Sequence, residues 1–194
     1  MTQELFDSKG NRKYLTQEER LRFEKAAREA ERDVRTFCLT LLYTGCRISE
    51  ALNLFVRSID FTAQAITIRT LKKHGGKIIF RQVPMPDWFL DELNLVHDLK
   101  TRIKNKKEAE QRIWPWVRMT ASRRVNEIME SAGIKGIHAC PKGLRHAFAI
   151  NCLEKQIPLN MAQKWLGHSH ITTTAIYADA LGLEERNIAS RLWQ

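Results

Sequence analysis

The hydrophobic pattern of this chain leaves its helical period in one place only, and that limits the folds open to it. AITIRTL (65–71) and KIIFRQVPM (77–85) are rich in β-branched residues and alternate with a period of two, with HGG (74–76) as a turn between them. That predicts one β-hairpin. On either side the apolar residues recur at helical spacing. Thr16 and Glu19 form a capping-box pattern ahead of Leu21, Phe23 and Ala26, which predicts a helix from about 16 to 30. A second helix, from about 32 to 43, contains FCLTLLY and is stopped by Gly45; a third begins near Ile48, with Ile48, Ala51, Leu52 and Phe55 on one side. Later helices are predicted over 86–100, 120–132, 141–155, 160–166, 172–178 and 184–192, with Gly133 and Gly167 as stops and Pro141 and Asn160 as starts. The charged run TRIKNKKEAEQR has no apolar period and reads as a solvated loop or helix end. The expected fold class is mixed α+β, mainly α-helical, with one small antiparallel β-sheet.

With 194 residues the chain is long enough to bury a core without disulfides or a structural metal. Its 32 Lys and Arg against 22 Asp and Glu give a net charge of +10, which favours a polyanionic partner, nucleic acid ahead of an anionic membrane surface. Cys38, Cys46, Cys140 and Cys152 form no CxxC pair and no metal-ligand spacing. This pattern predicts reduced thiols, no metal and a cytoplasmic location. No apolar run approaches the roughly 18 residues of a membrane span, and MTQELFDSKGNRK lacks the apolar core of a signal peptide.

Three stretches carry groups able to act on a phosphate. In TGCRISEAL, Arg47 sits where one helix ends and the next begins, close to free backbone N–H groups that favour anions. In KGLRHAFA, Lys142 and Arg145 are three apart on one helical face, with His146 adjacent; in LGHSHITTTAIYA, His168 precedes Tyr177 by nine residues. Each has an ordinary structural reading as a surface cap, a packing segment or a half-buried tyrosine. Together they supply positive charge for nonbridging oxygens, proton donors and a nucleophile. A phenol near pKa ~10 is a poor nucleophile at neutral pH, so a reacting Tyr177 needs such neighbours.

On these residues the chain resembles the catalytic domain of the tyrosine recombinases, or phage-type integrases, over roughly residues 14 to 180. The family's T-G-x-R-x-S-E motif appears as TGCRISE, its H-x-L-R-H as KGLRH, its L-G-H as residues 166–168, and its terminal T-x-x-x-Y as TTAIY. The resemblance implies that Arg47 and Arg145 clamp the phosphate, that Glu50 supports Arg47, that His168 donates to the same phosphate and that Tyr177 is the nucleophile. It implies a site-specific recombinase that breaks and rejoins double-stranded DNA through a 3′-phosphotyrosine, with no cofactor. Partner copies assemble on DNA, as a tetrameric synapse, from a monomer in solution. A hairpin lysine protonates the leaving 5′-oxygen. In TLKKHGGK, Lys72 and Lys73 are both candidates because neighbours on a strand face opposite ways. The family's threonine-leucine-lysine pattern favours Lys72, Lys77 is a weaker candidate, and His74 is read as a turn cap.

Two departures from the family stand out. Lys142 replaces the usual histidine of the second motif, a variant known in the family, and leaves the proton-handling role of that position open. Family members usually carry a separate helical core-binding domain ahead of the catalytic one, whereas only about a dozen residues here precede the first predicted helix, so the chain resembles the small catalytic-domain-only members or an excised fragment. The domain expectation is a polar lead-in (1–13), a catalytic domain (14–182) and a C-terminal helical segment (183–194) that closes its own core or packs on a neighbouring subunit. A type IB topoisomerase shares the tyrosine chemistry, and a DNA-binding regulator without catalysis is the alternative from another class.

Overall fold

The computed structural model describes residues 5–74 and 77–177, and the side chains of all of these except 72–74 and 77. Thr16 opens the first helix as its sequence requires. Its hydroxyl accepts the Glu19 amide at 3.3 Å, and the Glu19 carboxylate accepts the Thr16 amide at 3.0 Å, a reciprocal cap that starts α1 (Gln17–Glu29). The same carboxylate meets Arg12 and His138, tying the lead-in to a loop far along the chain. Next, α2 (Arg32–Thr44) is apolar almost all round and lies at the centre of the core. Its buried threonines satisfy their own hydroxyls: Thr36, Thr40 and Thr44 donate to the carbonyls of Arg32, Thr36 and Thr40 at 3.0, 2.8 and 2.6 Å. Gly45 ends α2 in the left-handed region (φ 59°).

The chain continues through α3 (Ile48–Ala51), then β1 (Ile59–Asp60), β2 (Ala65–His74) and β3 (Lys77–Pro84), an antiparallel sheet in that order. Ile66 pairs with Val83 and Thr70 with Ile79, and the register is irregular between Thr70 and His74. Then follow α4 (Asp87–His97), α5 (Leu99–Arg102), α6 (Lys106–Ala109), α7 (Arg118–Ser131), α8 (Pro141–Glu154), α9 (Leu159–Leu166) and α10 (Thr172–Ala175). α8 packs along both α2 and α9, while α3 leans on β2 and α9 on β3. The sheet is thereby held between the two segments that carry TGCRISE and LGH. Phe148, Ile150, Ala162, Leu166 and Tyr177 form a second, smaller apolar cluster on the α8–α9 side. Among the described residues no helix is long and apolar enough to cross a membrane.

The mainly helical fold with one small antiparallel sheet agrees with the sequence expectation, and five local readings need correction. The helix starting at Ile48 stops after four residues, because Ile113 N–H donates to the Leu54 carbonyl and Val56 N–H to the Gln111 carbonyl, drawing that backbone to a distant segment. Phe55 is therefore not on a helical face. β1 is too short to show as a pattern. The charged run holds the end of α5, whose Leu99 is buried just ahead of it, and also a short helix of its own, α6, anchored by buried Ala109. Helix α9 begins at Leu159, behind Pro158, rather than at Asn160. Finally, α10 ends at Ala175, so Tyr177 lies just beyond a helix rather than on one. The segment 183–194 and its expected helix lie outside the described residues.

Gly143, between Lys142 and Arg145 on the first turn of α8, has little room: a Cβ there would stand 1.9 Å from the His138 carbonyl oxygen. Alanine would gain about 1 kcal/mol of helix propensity, but a backbone carbonyl cannot rotate aside. Gly143→Ala is expected to destabilise the fold by about 1–3 kcal/mol, as overpacking does. A urea unfolding midpoint equal to or above that of the parent would contradict this.

Candidate active site

The turn after α2 and the first turns of α8 bring together residues far apart in sequence. Arg145, on α8, is 4% exposed; its Nη1 donates to the Gly45 carbonyl and its Nη2 to the Leu166 carbonyl, both at 2.8 Å. Two helix-end carbonyls thus fix the guanidinium plane. Arg47 precedes α3, where its backbone N–H donates to Glu50 Oε2 at 3.0 Å and its Nη1 to Glu50 Oε1 at 2.9 Å. Both arginines line a cavity of about 430 Å³, together with Ser49, Arg118, Ser122 and Lys142. Burial first, and then nearby Arg47, pull the Arg145 pKa down to about 10 against the opposing effect of Glu50.

Glu50 is buried between two cations. Its Oε2 also accepts from Arg81 Nη2 at 2.7 Å. Burial raises the Glu50 pKa, but Arg81 and then Arg47 outweigh it and hold the carboxyl below its usual range.

His168 follows Gly167, the left-handed end of α9, and its Nδ1 shares a 2.9 Å hydrogen bond with Thr174 Oγ1. The imidazole stacks on the Tyr177 ring, with centroids 6.3 Å apart and planes 7° from parallel. Tyr177 is fully buried, and its hydroxyl shares a 2.9 Å hydrogen bond with His146 Nδ1. Burial raises the Tyr177 pKa to about 12, against the lowering effect of Arg145 and Arg47. The sequence predicts basic neighbours that make the phenolate accessible; in this state desolvation is the larger effect. Arg145 Nε, His146 Nε2 and His168 Nε2 are buried without a hydrogen-bond partner among the described residues.

The structure thus brings Arg47, Lys142 and Arg145 to one cavity, whereas His168 lines a separate one with Thr70 and Arg81, and Tyr177 is buried against the His168 ring. Lys72 belongs to β2, two residues beyond Thr70, and its side chain, like those of Lys73, His74 and Lys77, lies outside the described residues. Sequence reasoning missed three participants. Arg81 was read only as part of a strand, although the period of two puts it on the same face as Val83, which is buried. A charged residue on the inner face of a strand was the available signal. His146 was noticed without its tyrosine partner, and Arg118 carried no local signal.

A model described as the phage integrase family matches residues 13–182. The chain belongs to the phage integrase family. Among its relatives, the tyrosine recombinase XerA of Pyrococcus furiosus is 33% identical over 172 residues, covering 85% of this chain and 56% of that protein. XerA of Saccharolobus solfataricus is 34% identical over 147 residues, covering 76% and 46%. The chain spans about half the length of these relatives. A crystal structure of XerA recombinase superposes with a TM-score of 0.72 at 25% identity, covering 92% of this chain and 62% of that one. XerH bound to its difH substrate before cleavage shares the fold, with a TM-score of 0.71 at 20% identity over 97% and 60%.

The buried histidines make stability depend on pH. Burial, first of all, holds His146 at about 4 and His168 at about 3, against about 6.5 in an unfolded chain. Below pH ~6.5 the unfolded chain takes up protons that the folded chain refuses, so stability is complete above that pH and lost as pH falls toward the folded values. The expected loss is up to roughly 1.4 kcal/mol per pH unit for each histidine. Urea unfolding at pH 7.5, 6 and 5 checks this; a midpoint constant across that range would show that the histidines are not held neutral.

Proposed function

We propose that this chain is the catalytic portion of a site-specific DNA recombinase that cleaves and rejoins double-stranded DNA through a covalent bond to Tyr177. The observation that carries this reading is the convergence of Arg47 and Arg145, from opposite halves of the chain, on one cavity, with Tyr177 and His168 close enough to feel both charges. A phosphodiester entering that cavity meets two guanidinium groups, both able to follow charge on nonbridging oxygens bidentately. That charge grows as the phosphorus becomes pentacoordinate, so the arginines hold the transition state more tightly than the ground state. Lys142 adds positive charge at the rim. His168 donates to the same phosphate through Nε2.

Attack requires Tyr177 to leave its buried position and break its bond to His146. The phenolic proton passes to His146 Nδ1 as that bond breaks; the phenolic oxygen then bonds to phosphorus, the 5′-oxygen departs with a proton from Lys72, and the 3′-phosphate stays on the tyrosine. A 5′-hydroxyl from a partner strand reverses the step and releases Tyr177. The bond energy is conserved in the phosphotyrosine. Rejoining to a different strand requires further copies of the chain on the DNA, and a synapse of such copies is part of this proposal. The family membership and the DNA-bound structure of XerH support it.

Tyr177→Phe removes one oxygen and is expected to abolish covalent attachment to a nicked duplex built from the repeats beside its gene, while leaving DNA affinity within about threefold. Adduct formation by the Phe variant near the parent rate would exclude Tyr177 as nucleophile. Adducts without exchange between two duplexes would favour topoisomerase-like relaxation instead.

The acid is separable from the clamp. Lys72→Ala is expected to slow cleavage by about 10²- to 10⁴-fold and to recover when the bridging 5′-oxygen is sulfur, because a leaving thiolate needs no proton. Arg145→Ala should show no such recovery. Rescue of Lys73→Ala alone would move the acid one residue along the strand.

A further inference from the structure

Arg81 belongs to none of the motifs, yet it reaches from the sheet to the segments that carry Arg47 and His168. Its side chain is 4% exposed. From β3 its Nη2 donates to Glu50 Oε2 at 2.7 Å, its Nη1 to Thr70 Oγ1 on β2 at 2.9 Å, and its Nε to the Trp165 carbonyl at the end of α9 at 2.7 Å. Gly167, just after that carbonyl and just before His168, lies against the same guanidinium. A Cβ at Gly167 would stand 2.8 Å from Arg81 Nη1 and 3.0 Å from Cζ. The His168 turn is therefore folded over Arg81 as well as ending α9.

The charges explain what this accomplishes. Glu50 orients Arg47 through two hydrogen bonds, but a buried carboxylate opposite Arg47 would also cancel its charge. With Arg81 bound to the same carboxylate, the Glu50–Arg81 pair is neutral. Arg47 and Arg145 then keep both positive charges for a phosphate whose own negative charge rises toward two in the pentacoordinate state. A buried ion pair is seldom retained for stability, since a well-packed apolar pair often does as well or better. Here the pair has a second effect, which is to let an acid steer a catalytic arginine without neutralising it.

We propose that Arg81 is a positioning residue for DNA cleavage, which neutralises Glu50 so that Arg47 is held in place with its charge intact and which fixes the turn carrying His168. This rests on the recombinase reading above. The test uses the full chain and compares the parent with Arg81→Met, Arg81→Lys, Glu50→Gln and the double variant Arg81→Met with Glu50→Gln. For each, the single-turnover rate of adduct formation at saturating nicked duplex is measured separately from the DNA Kd. The measurement is repeated on a duplex whose scissile phosphate is a neutral methylphosphonate.

Arg81→Met is expected to slow adduct formation by about 10²-fold, with Kd changed less than about threefold, the size of effect seen when one transition-state charge contact is lost. Arg81→Lys, which keeps the charge, retains most of the rate. The double variant, which removes the uncompensated carboxylate, is at least about tenfold faster than Arg81→Met. The Arg81→Met defect shrinks on the methylphosphonate, where there is less charge to balance. If Arg81→Met does not fold, the rates of the Lys and double variants relative to the parent decide the question, because neither buries an unpaired carboxylate. The proposal is overturned if Arg81→Met cleaves like the parent, if Arg81→Lys falls as far as Arg81→Met, or if the double variant gains nothing over it. A parent that forms no Tyr177-dependent adduct overturns the recombinase reading and this proposal with it, whereas a parent adduct with an inert Arg81 series overturns this proposal alone.

Discussion

A single carboxylate, Glu50, is held between Arg47 and Arg81 almost wholly out of reach of solvent, and much of the site's geometry depends on that arrangement. Taking an ionised group out of water costs several kcal/mol unless its charge is compensated and its lone pairs are engaged. Here both oxygens are engaged: Oε1 by Arg47 Nη1, Oε2 by the Arg47 amide and by Arg81 Nη2. The acid thus opens the short α3, aims one guanidinium at the cavity, and receives another from the sheet. Through Arg81 the same point reaches Thr70 on β2 and the carbonyl of Trp165. Three segments separated by up to 115 residues, Glu50 to Trp165, are registered to one another by charge-assisted hydrogen bonds, which are shorter and more directional than apolar contacts.

The second organising balance concerns the phenol. Tyr177 sits in a small apolar cluster of α8 and α9 residues, its ring against His168 and its hydroxyl on His146. Desolvation penalises the phenolate more than the nearby guanidinium groups favour it, so the resting tyrosine is protonated and unreactive. Arg145 faces the same opposition, since burial also lowers its pKa. An anionic phosphate in the cavity would relieve the repulsion between Arg145 and Arg47. The site therefore combines positive charge that an anion would satisfy with a buried tyrosine that, in the proposed reaction, must move to use it.

Much of the fold was legible because its signals are local. The Thr16–Glu19 cap, the left-handed Gly45 and Gly167, Pro141 at the start of α8 and the single change of hydrophobic period all depend on residues within a few positions of one another. The errors fall where backbone partners are distant. α3 is cut short by Gln111 and Ile113, which no window around Ile48 contains. Tyr177 falls outside its helix because α10 ends at Ala175, and what holds the side chain is a histidine on α8.

The sequence by itself determined the residue types available for chemistry, and their order along the chain: two arginines, a lysine, histidines and a tyrosine within a net charge of +10. It also determined the family, since TGCRISE, KGLRH and LGH are contiguous motifs whose meaning survives without coordinates. Only the tertiary structure decided which of these groups meet, and in what electrostatic state. A pKa depends on burial and on charges within a few ångströms, and neither is a property of a segment. Arg81 is the clearest case: it lies inside an ordinary strand pattern, and its partners come from residues 50, 70 and 165, which the chain brings together only by folding.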